Sequence, residues 1–240
     1  MIRFLAALLI LASSAVHAQS PLLTDLPLSY LEQTDGQSRN KPLIIFLHGS
    51  GANEADLFDI KDQLPTEYTF LSARAPLEVG PGSYQWFNKK PGDGPYDGET
   101  DDLRNSEALI SDFVAKATEK YHTQPDKVFL IGFSQGAIMS YEVALRHPDI
   151  LRGFAALSGK ILPMLKSELQ PLPGFKALDV FIGHGTADQR VPYVGATDAE
   201  TWLKELGITP ESHAYLGIGH TISDNEIMDL DSWLKEINHI

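Results

Sequence analysis

Residues 127–136 read KVFLIGFSQG, an apolar run that leads into the motif G-x-S-x-G with Ser134 at its centre. The run predicts a buried strand, and the apolar spacing after Ser134 predicts a helix that ends before Pro148. Between a strand and a helix, this motif forms a sharp turn that strains the serine and exposes its hydroxyl above the sheet. We therefore predict that Ser134 is a nucleophile. The structural alternative is a serine that only caps the following helix.

The chain on either side of this turn alternates between short apolar runs and helical patterns. Such alternation is typical of an α/β fold, in which a mostly parallel sheet carries helices on both faces. The predicted strands are residues 43–47, 69–73, 127–132, 153–157, 179–183 and 212–216, with an antiparallel edge hairpin in residues 26–33. Helical stripes of apolar residues run through residues 103–121, 138–145 and 227–237. Residues 19–240 show no internal repeat and no domain boundary, so we predict a single domain.

A serine hydroxyl is a weak nucleophile unless a base takes its proton and a third group orients that base. When the serine follows a strand in such a turn, an acid and then a histidine follow on later strand ends. Asp188 follows the predicted strand 179–183 and His220 follows the last strand, so we predict Asp188 as the acid and His220 as the general base. His48 and His184 also lie between strands and glycines, but they fall at the wrong place in this order. We interpret both as histidines that pack loops.

Ester hydrolysis also needs backbone N–H donors aimed at the oxyanion that forms on the carbonyl. The N–H of Gln135, directly after the nucleophile, is the first predicted donor. The residues after strand 43–47 read HGSG, and we assign the second donor to the N–H of Ser50. Taken alone, HGSG is equally typical of a plain tight turn. Its position in the loop that supplies such a donor favours the oxyanion assignment.

Residues 80–102 are rich in Gly, Pro and Asp, and we predict a long surface loop there. The segment faintly resembles a calcium loop, but Pro95 and Arg104 stand where that motif needs an oxygen donor and a glutamate, so no metal site is predicted. Trp86 and Phe87 are adjacent aromatic residues in this segment. They either anchor the loop to the body of the protein or line the substrate pocket beside Ser134, and the pocket is the functional prediction.

The composition excludes several classes of protein. The chain has 240 residues, with 19 Lys and Arg against 32 Asp and Glu, and its formal net charge is −13. Because it has no cysteine, it has no disulfide framework, no thiolate metal site and no cysteine nucleophile. Nucleic-acid binding needs clustered Lys and Arg to neutralise phosphates, and the acidic balance argues against it.

The N-terminus has the pattern of a secretory signal peptide. Arg3 precedes the apolar run of residues 4–12, and a segment of mostly small residues ends at Ala18. We predict cleavage after Ala18, which removes residues 1–18 and makes the mature protein a secreted or periplasmic protein of a bacterium. A buried first helix and a membrane anchor are the alternatives. The run is shorter than the roughly 18 apolar residues of a spanning helix, so the mature chain is predicted to have no integral membrane segment.

Several ordered motifs of the chain resemble the phospholipase/carboxylesterase family, which includes the acyl-protein thioesterases. The matching segments are residues 47–57 (LHGSGANEADL), 72–76 (SARAP), 84–87 (YQWF), 132–136 (GFSQG), 157–159 (LSG) and 184–192 (HGTADQRVP). The resemblance implies a small α/β-hydrolase fold with a minimal lid, which acts on carboxylic esters or thioesters without a cofactor. It implies a triad of Ser134, Asp188 and His220, and oxyanion donors at Ser50 and Gln135, in agreement with the reading of the residues.

We therefore predict a serine carboxylesterase that hydrolyses short to medium acyl esters through an acyl-enzyme. Its expected partner is a small-molecule or lipid-like ester. An acetyl or feruloyl esterase of polysaccharide side chains, and a lysophospholipase or thioesterase, are the alternatives among enzymes. The alternative outside enzymes is an inactive binding protein on the same fold, whose signature would be a missing member of the triad.

Overall fold

The computed structural model describes residues 21–92 and 96–239. The predicted signal peptide, residues 1–18, lies outside the described residues. The strands are, in chain order, β1 (Tyr30–Gln33), β2 (Leu43–Leu47), β3 (Thr69–Ala73), β4 (Leu77–Gly80), β5 (Ser83–Gln85), β6 (Val128–Phe133), β7 (Gly153–Leu157), β8 (Asp179–Gly185) and β9 (Glu211–Tyr215). The α-helices are α1 (Thr100–Lys120), α2 (Gln135–Arg146), α3 (Pro163–Glu168), α4 (Val194–Glu205) and α5 (Asp224–Asn238).

The central sheet has the strand order β1-β3-β2-β6-β7-β8-β9. Every neighbouring pair in it is parallel except β1 and β3, which pair antiparallel at one edge. The prediction of a mostly parallel α/β sheet is confirmed. The predicted edge hairpin in residues 26–33 is wrong in form: β1 is a single strand that pairs with β3, and an isolated bridge joins Leu23 to Tyr30.

Helices cover both faces of the sheet because alternate residues of the central strands point in opposite directions. In β2, Leu43, Ile45 and Leu47 belong to one apolar cluster, which also holds the buried residues of α1, α2, α3 and α4. Ile44 and Phe46 belong to a second cluster, which α5 and the 3₁₀-helix Phe58–Gln63 cover. Since both sides of these strands are buried, their sequences are continuously apolar.

The structure adds elements that the sequence pattern did not predict. Part of residues 80–102 is regular: β5 pairs with β4, and α1 begins at Thr100. Helix α4 was also missed, because its buried positions include the small residues Ala196 and Ala199, which give a weak apolar stripe. In the ranges 21–92 and 96–239, no helix is both long and apolar enough to cross a membrane.

The carboxyl ends of the parallel strands meet at one edge of the sheet, which brings the loops after β2, β6, β8 and β9 together. The loop after β7 leads into the six-residue helix α3 rather than into a separate lid domain. This edge holds the residues predicted for the triad and for the oxyanion donors.

Candidate active site

Ser134 lies at the turn between β6 and α2, as the sequence predicts. Its backbone has φ 54° and ψ −114°, a left-handed conformation that is rare for a residue with a side chain. The turn is tight because two glycines let backbone segments pass closely. A Cβ on Gly136 would collide with the carbonyl group of Leu47, and one on Gly132 would collide with the carbonyl group of Gly136. The Ser134 side chain makes no capping bond to α2, so the capping alternative is wrong.

His220 lies within hydrogen-bond distance of both other residues predicted for the triad. Nε2 of His220 is 2.9 Å from Oγ of Ser134, and Nδ1 of His220 is 2.7 Å from Oδ2 of Asp188. Because a carboxylate only accepts, the proton of the neutral imidazole belongs on Nδ1, which leaves the lone pair of Nε2 facing the serine hydroxyl. The ring of Phe133 packs against His220, with centroids 4.9 Å apart, and limits its movement.

Asp188 is fully buried as a side chain, yet every partner around it favours its charged form. Its Oδ1 accepts hydrogen bonds from the N–H groups of Arg190 and Val191 at 2.8 and 2.9 Å. Burial acts to raise the pKa of Asp188, but the hydrogen bonds from His220 and from the two N–H groups outweigh it and hold the pKa below its ordinary value. The acid is therefore an anion that orients His220 at neutral pH.

His184 packs its loop, as the sequence predicts, and it also contacts Asp188, which the sequence does not predict. Nε2 of His184 lies 2.8 Å from the carbonyl oxygen of Val191 and 3.4 Å from Oδ2 of Asp188. Both neighbours are acceptors, so Nε2 carries the proton, and burial lowers the pKa of His184, which keeps the ring neutral. The signal in the sequence is that His184 comes four residues before Asp188, at the end of β8.

The two residues predicted to supply the oxyanion donors both line the cavity over Ser134. Gln135 is the first residue of α2, so its N–H has no partner within the helix. Among the described residues, no hydrogen bond uses the N–H of Ser50 or the N–H of Gln135. Both donors are therefore available to a bound group.

His48 fixes the loop that carries Ser50. Its Nδ1 is 2.7 Å from the carbonyl oxygen of Gly49, and its Nε2 accepts the N–H of Ala75 at 3.1 Å. Its own carbonyl oxygen accepts the indole N–H of Trp86 at 2.9 Å. This buried histidine thus joins the loop after β2 to the loop after β3, as its packing interpretation anticipates.

The prediction that Trp86 or Phe87 lines the substrate pocket needs correction. Both side chains are fully buried in the main core, and neither is among the residues that line the cavity. The side chain of Gln135 ties this segment down, because its Oε1 accepts the N–H of Trp86 and its Nε2 donates to the carbonyl oxygen of Phe87, each at 2.7 Å. The two rings anchor the segment behind the wall of the site.

The cavity over Ser134 has a volume of about 560 Å³ and is open to solvent. Its apolar wall includes Phe133, Ile138 and Val191, and its polar side includes the Ser50 and Gln135 backbone. A cavity of this size holds a small organic molecule. In the part of the chain that the structure describes, no three His, Asp or Glu residues cluster as metal ligands.

Comparisons with known proteins agree with this arrangement. The phospholipase/carboxylesterase family model matches residues 30–238. Carboxylesterase SOBER1 of Arabidopsis thaliana is 31% identical over 212 residues, which cover 81% of this chain and 90% of that protein. Acyl-protein thioesterase 1 of Neurospora crassa is 30% identical over 219 residues, covering 83% of this chain and 88% of its own. The crystal structure of a carboxylesterase from Mesorhizobium loti superposes with a TM-score of 0.76 at 25% identity, covering 90% of this chain and 98% of the other. The chain therefore belongs to the phospholipase/carboxylesterase family of serine hydrolases and has the α/β-hydrolase fold.

Proposed function

We propose that the protein is a serine carboxylesterase that cleaves short to medium acyl esters through an acyl-enzyme on Ser134. The observation that carries the proposal is the unbroken series of hydrogen bonds from Asp188 through His220 to Ser134, which opens onto the cavity. Nucleophilic catalysis requires a nucleophile, a base and an anion that orients the base, and the proposal gives these roles to Ser134, His220 and Asp188.

The proposed reaction has two steps, acylation of Ser134 and hydrolysis of the acyl-enzyme. Nε2 of His220 takes the proton of Ser134 as Oγ attacks the ester carbonyl, and the oxyanion that forms accepts hydrogen bonds from the N–H groups of Ser50 and Gln135. The tetrahedral intermediate collapses when the protonated His220 gives its proton to the alcohol oxygen, which leaves. Water then enters and loses a proton to His220, and the same steps release the carboxylic acid and restore Ser134.

The size and chemistry of the cavity support the choice of substrate. Apolar side chains such as Phe133, Ile138 and Val191 bind an acyl chain by removing its methylene groups from water, at about 0.8 kcal/mol for each group. The open volume of about 560 Å³ accommodates a small ester together with a short or medium acyl chain. The cavity therefore fits the proposed substrates.

The alternatives differ in the bond cleaved and in the partner. The acyl-protein thioesterase among the relatives makes a thioesterase the second candidate. Parallel assays on an ester and a thioester of the same acyl group distinguish a carboxylesterase from a thioesterase. An inactive binding protein is disfavoured because Ser134, His220 and Asp188 are all present and in contact.

Export of the protein is part of the proposal. Removal of residues 1–18 would place the enzyme outside the bacterial cytoplasm, where it meets esters from the surroundings. Expression of the full chain in a bacterium, followed by N-terminal sequencing of the protein recovered from periplasm and medium, tests this. A mature protein that begins at Gln19 supports export, whereas a protein that keeps Met1 and stays in the cytoplasm contradicts it.

The decisive experiment on the reaction is labelling with an organophosphonate ester, which mimics the tetrahedral intermediate. We expect the probe to modify Ser134, and Ser134→Ala to lose both the label and ester turnover by several orders of magnitude, because triad members act as a unit. Ser232→Ala, on an exposed face of α5, is the matched control and should keep both. Label on another residue, or substantial turnover by pure Ser134→Ala protein, would overturn the assignment.

A further inference from the structure

The cavity over Ser134 carries more positive than negative charge, in a protein whose net charge is −13. Lys160, in the loop after β7, and Arg190, in the loop that holds Asp188, both line it. Among the described lining residues, Asp56 is the single carboxylate that is not part of the triad. A local excess of cations gives this cavity a positive electrostatic potential in an otherwise acidic protein, and such a potential attracts small anions.

Within the part of the chain that the structure describes, neither cation forms an ion pair. In residues 21–92 and 96–239, no carboxylate oxygen lies within 4.0 Å of the Lys160 ammonium or the Arg190 guanidinium, although ten other Lys and Arg side chains form such pairs. Burial lowers the pKa of the Lys160 ammonium from its ordinary value, while Asp97 at longer range acts to raise it and Lys89 acts to lower it. The charges of Lys160 and Arg190 are therefore available to a ligand.

Packing holds the Lys160 side chain in place at the cavity. Its ammonium lies 4.4 Å from the ring centroid of Tyr96 and 3.3 Å from the Tyr96 carbonyl oxygen. On the other side, a Cβ added to Gly195 would lie only 3.0 Å from Cβ of Lys160, so the lysine stem rests on the backbone there. A half-buried ammonium held in this way loses less side-chain entropy when it binds an anion than a free surface lysine does.

Lys160 also stands where two cavities meet. A second groove of about 650 Å³ shares Tyr96, Lys160 and Pro192 with the cavity over Ser134 and adds Lys166 and Asp198. A substrate that reaches from Ser134 into this groove passes the Lys160 ammonium. The polar end of such a substrate meets a cation, while its apolar part meets Pro192 and the walls described above.

We propose that the site selects esters that carry a carboxylate, which Lys160 and Arg190 bind while the ester carbonyl faces Ser134. This inference rests on the proposed esterase function. It names a substrate class, the monoesters of dicarboxylic acids and esters of carboxylate-bearing alcohols, which share the same chemistry. The carboxylate sits on the acyl part in the first and on the leaving group in the second.

Two matched pairs of substrates test the proposal and distinguish a carboxylate on the acyl part from a carboxylate on the leaving group. Monoethyl adipate against ethyl hexanoate compares a charged with a neutral acyl end, and 4-butanoyloxybenzoate against 4-butanoyloxybenzamide compares the leaving groups. We expect a higher kcat/KM for the charged member of at least one pair. That preference should weaken as salt is raised, because salt screens partly exposed charges.

Three variants assign the preference to the named residues. Lys160→Met and Arg190→Met should each reduce about tenfold the ratio of kcat/KM for the charged ester to kcat/KM for its neutral partner, as expected for loss of a charged hydrogen bond. Asp56→Asn should move the preference the opposite way, since it removes the carboxylate from the cavity wall. Lys176→Met makes the same charge change at an exposed position outside the cavity and should leave the ratio unaltered.

The outcomes separate this inference from the proposed function. Hydrolysis of the neutral esters with no preference for either charged ester, or a preference that survives both Met variants, overturns the inference and leaves the esterase proposal intact. Absence of turnover on all four esters, with no organophosphonate label on Ser134, overturns both. If Lys160→Met does not fold, Arg190→Met gives the same test at an exposed residue.

Discussion

Replacing Glu226 by Gln should raise the melting temperature of the protein at pH values above neutral and leave it almost unchanged in acid. Glu226 is fully buried in the first turn of α5, where it forms a capping box with Ser223: its N–H donates to Oγ of Ser223 at 3.3 Å, and its Oε2 accepts the Ser223 N–H at 3.4 Å. Ser223 is three residues after His220, so this box fixes the end of the loop that carries the proposed general base. The other carboxyl oxygen, Oε1, has no hydrogen-bond partner among the described residues.

The size of the effect follows from the buried carboxyl. Burial raises the pKa of Glu226 from 4.5 to about 7, although the Ser223 N–H acts against it, and Asp229 raises it further. A pKa higher by about 2.5 corresponds to about 3 kcal/mol between the two protonation states. Below the unfolded pKa the carboxyl is protonated in both states and costs nothing. As the pH rises through 4.5 towards 7, the unfolded chain releases its proton first and native stability falls.

Calorimetric melting of the wild type and Glu226→Gln at about pH 4 and about pH 8 measures this difference. Glutamine keeps the acceptor oxygen of the capping box but cannot ionise. About 3 kcal/mol corresponds to a melting temperature higher by roughly 6–12 °C at the higher pH for a chain of this size, with almost no difference at the lower one. Glu236→Gln, on an exposed position of the same helix, should show no such dependence on pH. An equal difference at both pH values, or a less stable variant at both, would refute the reasoning.

Three further predictions concern residues around the site. His184→Leu should lower kcat/KM about tenfold and move the acid limb of its pH profile to higher pH, because the Val191 carbonyl loses its donor, the N–H of Val191 holds Asp188 less firmly and Asp188 becomes more basic. His184→Gln, which keeps a donor for Val191, should restore most of both. Trp86→Ala should lower the free energy of unfolding in denaturant by about 3–5 kcal/mol, as expected for a large cavity. A strong change in its butyrate-to-acetate kcat/KM ratio without loss of stability would return Trp86 to the pocket. Gly136→Ala should leave no soluble protein that the organophosphonate labels, since its Cβ meets the Leu47 carbonyl group; normal labelling would contradict the close approach.

The order of the site residues could be predicted because it depends on local patterns and on one topological rule. The turn at Ser134 needs only its two glycines, a preceding strand and a following helix, all of which are adjacent in sequence. Asp188 and His220 follow strand ends, and parallel strands bring those ends to one edge of the sheet without any knowledge of side-chain packing. The apolar runs of the central strands predicted this sheet for the same reason, since residues buried on both faces leave no other pattern.

The positions of Trp86, His184 and Lys160 relative to the site were decided only by the tertiary structure. A pair of aromatic residues in a polar segment must be buried, but the sequence does not show whether the substrate or the protein covers them. Here the side chain of Gln135, far along the chain, accepts the N–H of Trp86 and ties this residue into the core. His184 reaches Asp188 because the loop after β8 turns back on itself, which residue spacing does not specify. Lys160 faces the cavity because Tyr96 and the backbone at Gly195 enclose its stem. Motifs within one turn of chain are local and can be read from sequence, whereas the direction of a side chain towards a partner far along the chain is set by the packing of the whole fold.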